Sequence, residues 1–164
     1  MKLHTTAAGP EEPSDKTPVL LVHGLFGQAR NLGVLARALS RDRKVVSVDM
    51  RNHGLSPHDP DHSYPAMAGD LAQVIRDHGG RMDVVGHSMG GKAAMWLALT
   101  EGDLMRRLVV LDIAPVAYSH SQMKQIDAME GTEFTACKTR SAADAALSAR
   151  VADPGVRAFL LQSL

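Results

Sequence analysis

The pentapeptide Gly86-His87-Ser88-Met89-Gly90 constrains this chain more than any other stretch. It follows a short apolar run, Met82-Asp83-Val84-Val85, and precedes a longer one over residues 93–99. The short run reads as a buried strand and the longer one as a packed helix, so the pentapeptide is a strand-to-helix turn. Glycine at both ends suits such a turn, because a side chain there would collide with the neighbouring backbone. A serine at its apex is held beside the start of a helix, where unpaired backbone N–H groups and the positive end of the dipole meet developing negative charge. Ser88 is therefore the candidate nucleophile, and the Met89 N–H a candidate oxyanion donor. A serine that merely caps the helix would occupy the same position.

Three more apolar runs end in polar or glycine-rich residues. Val19-Leu20-Leu21-Val22 leads into His23-Gly24-Leu25-Phe26-Gly27, Val45-Val46-Ser47-Val48 into Asp49-Met50-Arg51-Asn52-His53-Gly54, and Leu108-Val109-Val110-Leu111 into Asp112. Residues 31–40 carry Leu32, Leu35, Ala36 and Leu39 at helical spacing, and residues 66–77 carry Met67, Leu71, Val74 and Ile75, with Gly79-Gly80 after them. Strands alternating with helices give a parallel sheet with helices on both faces, and such sheets build their sites at the carboxyl ends of the strands. Residues 2–8 give only a faint edge-strand signal. Residues 9–17, a polar stretch with Pro10, Pro13 and Ser14, and residues 51–65, rich in Pro, Asp, His and Gly, read as surface connections. After residue 116 the pattern turns helical, over 121–130, 141–151 and 154–164.

These segments resemble the α/β-hydrolase superfamily and, within it, the YbfF-like esterases. The resemblance is carried by Leu21-Val22-His23-Gly24-Leu25-Phe26-Gly27, by Asn31-Leu32-Gly33-Val34-Leu35-Ala36, by Val48 through Pro57, by Tyr64-Pro65-Ala66-Met67-Ala68, by Val85 through Lys92 and by Asp112-Ile113-Ala114-Pro115-Val116. It implies an α/β-hydrolase core over residues 1–116, with residues 117–164 forming an incomplete helical lid. It also implies a serine esterase acting on small-molecule esters or thioesters of short to medium acyl chains, without a cofactor. A catalytically silent fragment of that fold is the alternative.

In that reading Ser88 is the nucleophile, and the backbone N–H groups of Met89 and of Leu25 form the oxyanion hole, with Phe26 the alternative to Leu25. Asp112, at the end of the strand after the turn, is the candidate acid, against a structural role in the Ala114-Pro115 turn. His23, Phe26 and His87 are substrate-contacting candidates, although His23 also suits fixing the loop and His87 packing against it. Asp49 belongs with Arg51 and His53 as a loop-holding network in the family pattern. His53, His58 and His62 match no zinc spacing and read as solvated loop histidines, so no metal is expected.

The base is the gap. Chain order in this fold is Ser, then Asp or Glu, then His, and the histidine that follows Asp112, His120, reads as a surface residue. The family's catalytic histidine lies beyond two further strands, so the chain is expected to be the N-terminal portion of a longer hydrolase. Its strand after residue 108 would then be an apolar sheet edge inviting self-association.

Composition adds exclusions. Eighteen basic and eighteen acidic residues cancel, which argues against nucleic acid or an anionic membrane as partner. The single cysteine, Cys137, suits a reducing compartment, and with no apolar leader in the sequence the expectation is cytoplasmic.

Overall fold

The computed structural model describes residues 1–163 apart from Pro13 and His120. The chain divides into two compact units, Met1–Pro115 and Val116–Leu164. The first is a five-stranded sheet. Strands β1 (Thr5–Ala8), β2 (Val19–Val22), β3 (Val45–Val48), β4 (Met82–His87) and β5 (Met105–Leu111) lie in the order β1-β3-β2-β4-β5. All neighbours pair in parallel except β1, which runs antiparallel to β3. The faint signal at residues 2–8 is thus a real edge strand, too short and polar to declare itself locally.

Helices cover both faces. On one, α1 (Gly33–Leu39) lays Leu35, Ala36 and Leu39 against Val19, Leu21, Val45 and Val85. Its expected first turn instead forms a separate 3-10 turn, Ala29–Leu32. On the other face, α2 (Tyr64–Asp77) and α3 (Met89–Thr100) pack together on Leu20, Val22, Val46 and Val84. Leu71, Ile75 and Leu97 are fully buried there, each contributing roughly 1.5–3 kcal/mol by leaving water. Ser63 starts α2 by accepting the Ala66 N–H, and Pro65, two residues after Ser63, sets the first turn. At the far end the Gly80 N–H returns to the Ile75 carbonyl, 2.9 Å.

The last strand begins three residues earlier than its apolar run, at Met105, because Met105 and Arg107 also pair with β4, with Arg106 bulged out of the ladder between them. Arg106 makes two bonds to Asp83 of β4, 2.8 and 2.6 Å, and this holds the Asp83 carboxyl below the usual carboxylate range. That clip lies at the amino end of the parallel strands, away from the turn at Ser88. β5 has one partner strand among the described residues, and Val109 is 48% exposed.

The second unit holds α4 (Met123–Glu130), α5 (Arg140–Ser148), α6 (Pro154–Leu160) and a closing 3-10 turn, Leu161–Ser163. Thr139 and Asp153 cap α5 and α6, and Arg157 of α6 bonds Asp144 of α5 at 2.9 Å. Ala143, Leu147, Leu160 and Leu161 are buried, whereas Met123 is exposed.

Candidate active site

Each of the four parallel strands ends near a residue with a left-handed backbone. Among the described residues the non-glycine positions with positive φ are Phe26 (61°), Asn52 (65°), Ser88 (50°) and Asp112 (56°), after β2, β3, β4 and β5 respectively. Such conformations cost of order 1–3 kcal/mol each and persist where surrounding contacts impose them, which makes this edge of the sheet the candidate site.

At Ser88 the contacts are visible. A Cβ built on Gly86 would lie 2.6 Å from the Gly90 carbonyl oxygen, and one on Gly90 would run into the His23 carbonyl. Both obstacles are backbone, so neither can yield, and the turn requires glycine at both places. The Ser88 N–H donates to the Leu111 carbonyl at 2.9 Å, tying the turn to β5. Ser88 occupies the N-cap position of α3 with ψ −116°, yet its side chain caps nothing. The capping alternative therefore fails, and the hydroxyl has no hydrogen-bond partner among the described residues.

The first helical bond of α3 runs from the Lys92 N–H to the Ser88 carbonyl, 3.0 Å. The N–H groups of Met89, Gly90 and Gly91 therefore precede the helical ladder, and Met89 follows Ser88 directly. The loop after β2 crosses the same point, since a Cβ on Gly24 would come 3.2 Å from Ser88 Cβ and 2.9 Å from His87 Nδ1.

The structure separates the two candidate loop donors. Phe26 donates its N–H to His53 Nε2, 3.1 Å, so that amide is engaged. The Leu25 N–H has no acceptor among the described residues. His53 in turn bonds the Arg51 carbonyl through Nδ1, 2.8 Å, and is 9% exposed. It is thus no solvated loop histidine, unlike His58 and His62, which are exposed. Asp49, also buried, accepts the Ala29 N–H at 2.7 Å and the Leu55 N–H at 3.0 Å, which joins the loop after β2 to the turn after β3. Arg51 pairs with buried Asp70 at 2.6 Å and reaches the Asp61 carbonyl, fixing the following loop.

His23 cannot serve as a substrate contact. It is 1% exposed, its Nε2 accepts the Met50 N–H at 2.9 Å, and its Nδ1 bonds the Gly24 carbonyl at 2.7 Å. Burial pushes its pKa down to about 4, the Gly24 bond opposing, so the ring is a neutral strut of the loop. Phe26 is half-buried, and His87 is partly open with its Nε2 3.7 Å from Asp112 Oδ2. That is too long for a hydrogen bond, and the Asp112 side chain is 88% exposed, its carboxylate without a hydrogen-bond partner among the described residues. His120 lies outside the described residues. Among the described residues no group of three His, Cys, Asp or Glu is placed to hold a metal, and both ring nitrogens of His53 are already engaged.

The fold family described as alpha/beta hydrolase fold matches residues 17–133. The chain belongs to the α/β-hydrolase family. It is 43% identical over 165 residues to the esterase YbfF of Escherichia coli, covering 99% of this chain and 65% of that protein. Against the mouse sn-1-specific diacylglycerol lipase ABHD11 it is 44% identical over 89% of this chain and 50% of the relative. The chain thus spans about half to two thirds of the length of these two relatives. A solved structure titled marine microorganism esterase superposes with a TM-score of 0.90 at 35% identity, over 98% of this chain and 63% of its own. Among the described residues, no helix is long and apolar enough to cross a membrane.

Proposed function

We propose that this chain carries the nucleophile and oxyanion hole of a serine esterase. Ser88 Oγ attacks the carbonyl carbon of a carboxylic ester, or a thioester, of short to medium acyl chain. The negative charge that gathers on the carbonyl oxygen is met by the N–H groups of Met89 and Leu25. Collapse of the tetrahedral adduct expels the alcohol or thiol and leaves the acyl group on Ser88, and water then releases the acid. Asp112 orients the imidazole that takes the Ser88 proton and returns it to the leaving group. Phe26 and His87, at the two sides of the turn, contact the substrate. The observation that carries this reading is Ser88 itself, held at φ 50° with an uncapped hydroxyl beside amides that precede the helical ladder. The names of the relatives, an esterase and a diacylglycerol lipase, support ester cleavage.

A second reading, a catalytically silent hydrolase-fold chain, draws on one observation: no described imidazole bonds the Ser88 hydroxyl. Hydrolysis of an activated aryl ester by the protein at its full natural length, by residues 1–164 alone, and by Ser88→Ala in each decides between them. Turnover and an acyl adduct on Ser88, both abolished by Ser88→Ala, are expected at full length. Activity indifferent to Ser88→Ala would overturn the nucleophile assignment.

A further inference from the structure

The loop after β2 offers two neighbouring amides, Leu25 and Phe26, and a short loop cannot aim both at one oxygen. His53 resolves the choice from a distance of 27 residues in sequence. Its Nε2 receives the Phe26 N–H at 3.1 Å, and Phe26 takes the left-handed φ of 61°. For Nε2 to accept, its lone pair must be free, so the ring must be neutral with its proton on Nδ1. The Nδ1 contact to the Arg51 carbonyl, 2.8 Å, supplies that condition, because a carbonyl can only accept. The ring is held in place on both sides, edge-on to His23 at 5.2 Å and stacked on His62 at 5.7 Å between centroids.

Resting on the esterase reading, we propose that His53 is a positioning residue of the oxyanion hole: by capturing the Phe26 amide it leaves Leu25 as the loop amide that faces the charge on the substrate. Asp49 acts beside it, anchoring the loop one turn on through Ala29. A proton on His53 Nε2 would turn the acceptor into a donor pointed at another N–H, and the loop would be released. Burial disfavours that proton, as do the neighbouring His62 and His58, while the Arg51 carbonyl and the Asp49 carboxylate oppose. The other ring against it, His23, is held neutral by its own burial.

The test uses the protein at its full natural length with two variants. His53→Gln keeps an acceptor oxygen and a donor on one planar group, whereas His53→Leu keeps the bulk and removes both. Nitrogen-15 NMR of the imidazoles should show a pyrrole-type Nδ1 and a pyridine-type Nε2 for His53. The Phe26 amide should be protected from exchange in the wild type and in His53→Gln, and unprotected in His53→Leu. For aryl-ester turnover, His53→Leu should lose about a hundredfold in kcat with little change in KM, the scale of one lost oxyanion donor, and His53→Gln should recover most of it. Affinity for an alkyl trifluoromethyl ketone, which forms the oxyanion on Ser88, should fall in step with kcat/KM. An unchanged kcat in His53→Leu, equal losses in both variants, or a proton on Nε2 in the wild type would overturn the proposal. Should the wild type show no Ser88-dependent turnover, the esterase reading fails instead, and the NMR tautomer and Phe26 protection still decide whether His53 holds the loop.

Discussion

Replacing His23 tests whether the loop beside Ser88 is held by a buried neutral imidazole. The ring is 1% exposed with both nitrogens engaged, and its pKa is depressed to about 4 from an ordinary 6.5. At 1.36 kcal/mol per pH decade, that gap makes folding about 3 kcal/mol more favourable when the ring is neutral than when it is charged. The direction follows from the depressed value. The contribution is complete above pH 6.5, where both folded and unfolded chains carry a neutral ring. It is lost as the pH falls from 6.5 towards 4, because the unfolded chain binds a proton that the folded one refuses, and below 4 the loss levels off. Urea unfolding at pH steps across that interval measures it. The single tryptophan, Trp96, sits on α3 and reports on the first unit by fluorescence. His53, His62 and His78 are also depressed by burial and titrate in the same direction, so the wild-type curve alone does not isolate His23. His23→Gln does. The variant should be less stable at neutral pH, having lost the geometry at Met50 and Gly24, but should fall less steeply in acid, the two curves converging by about 3 kcal/mol as the pH approaches 4. Parallel curves would refute the reasoning, since they would mean that this ring titrates alike in the folded and unfolded chains.

Two other outcomes follow from particular residues. Ser88→Gly should abolish ester turnover while raising stability by about 1 kcal/mol in urea unfolding, because glycine accepts the left-handed backbone that serine is forced into, less the extra freedom it gives the unfolded chain. A loss of stability would show that the serine is not strained. Residues 1–164 alone are expected to self-associate through β5, whose outer edge is unpaired among the described residues, and Val109→Lys should shift them towards monomer in sedimentation. A wild-type polypeptide that is monomeric at all concentrations would remove the edge from consideration.

Some of this was legible without coordinates because the signals are local. Gly86 and Gly90 mark the turn through a steric need that their own sequence neighbours create. The apolar spacing of Met67, Leu71, Val74 and Ile75 fixes which face of α2 is buried, and all four are buried. Ser88, Met89 and the loop through Leu25 come together because parallel strands carry their carboxyl ends to one edge of the sheet, and the alternation of strands and helices already implies a parallel sheet.

What tertiary structure alone decided depends on partners far away in sequence. Thr5–Ala8 form a strand only because β3 offers them an edge. His53 and His62 stand in the same polar loop, and nothing near them says that one is buried and the other exposed; β2 and its loop decide that, by supplying His23 and the Phe26 amide. Likewise Leu25 and Phe26 are equivalent as backbone, and a hydrogen bond from one of them to a ring 27 residues on makes them different. Local sterics can mark the turn at Ser88, but the assignment of a backbone amide to one acceptor or another is a question of which acceptor reaches it first, and only the folded chain answers that.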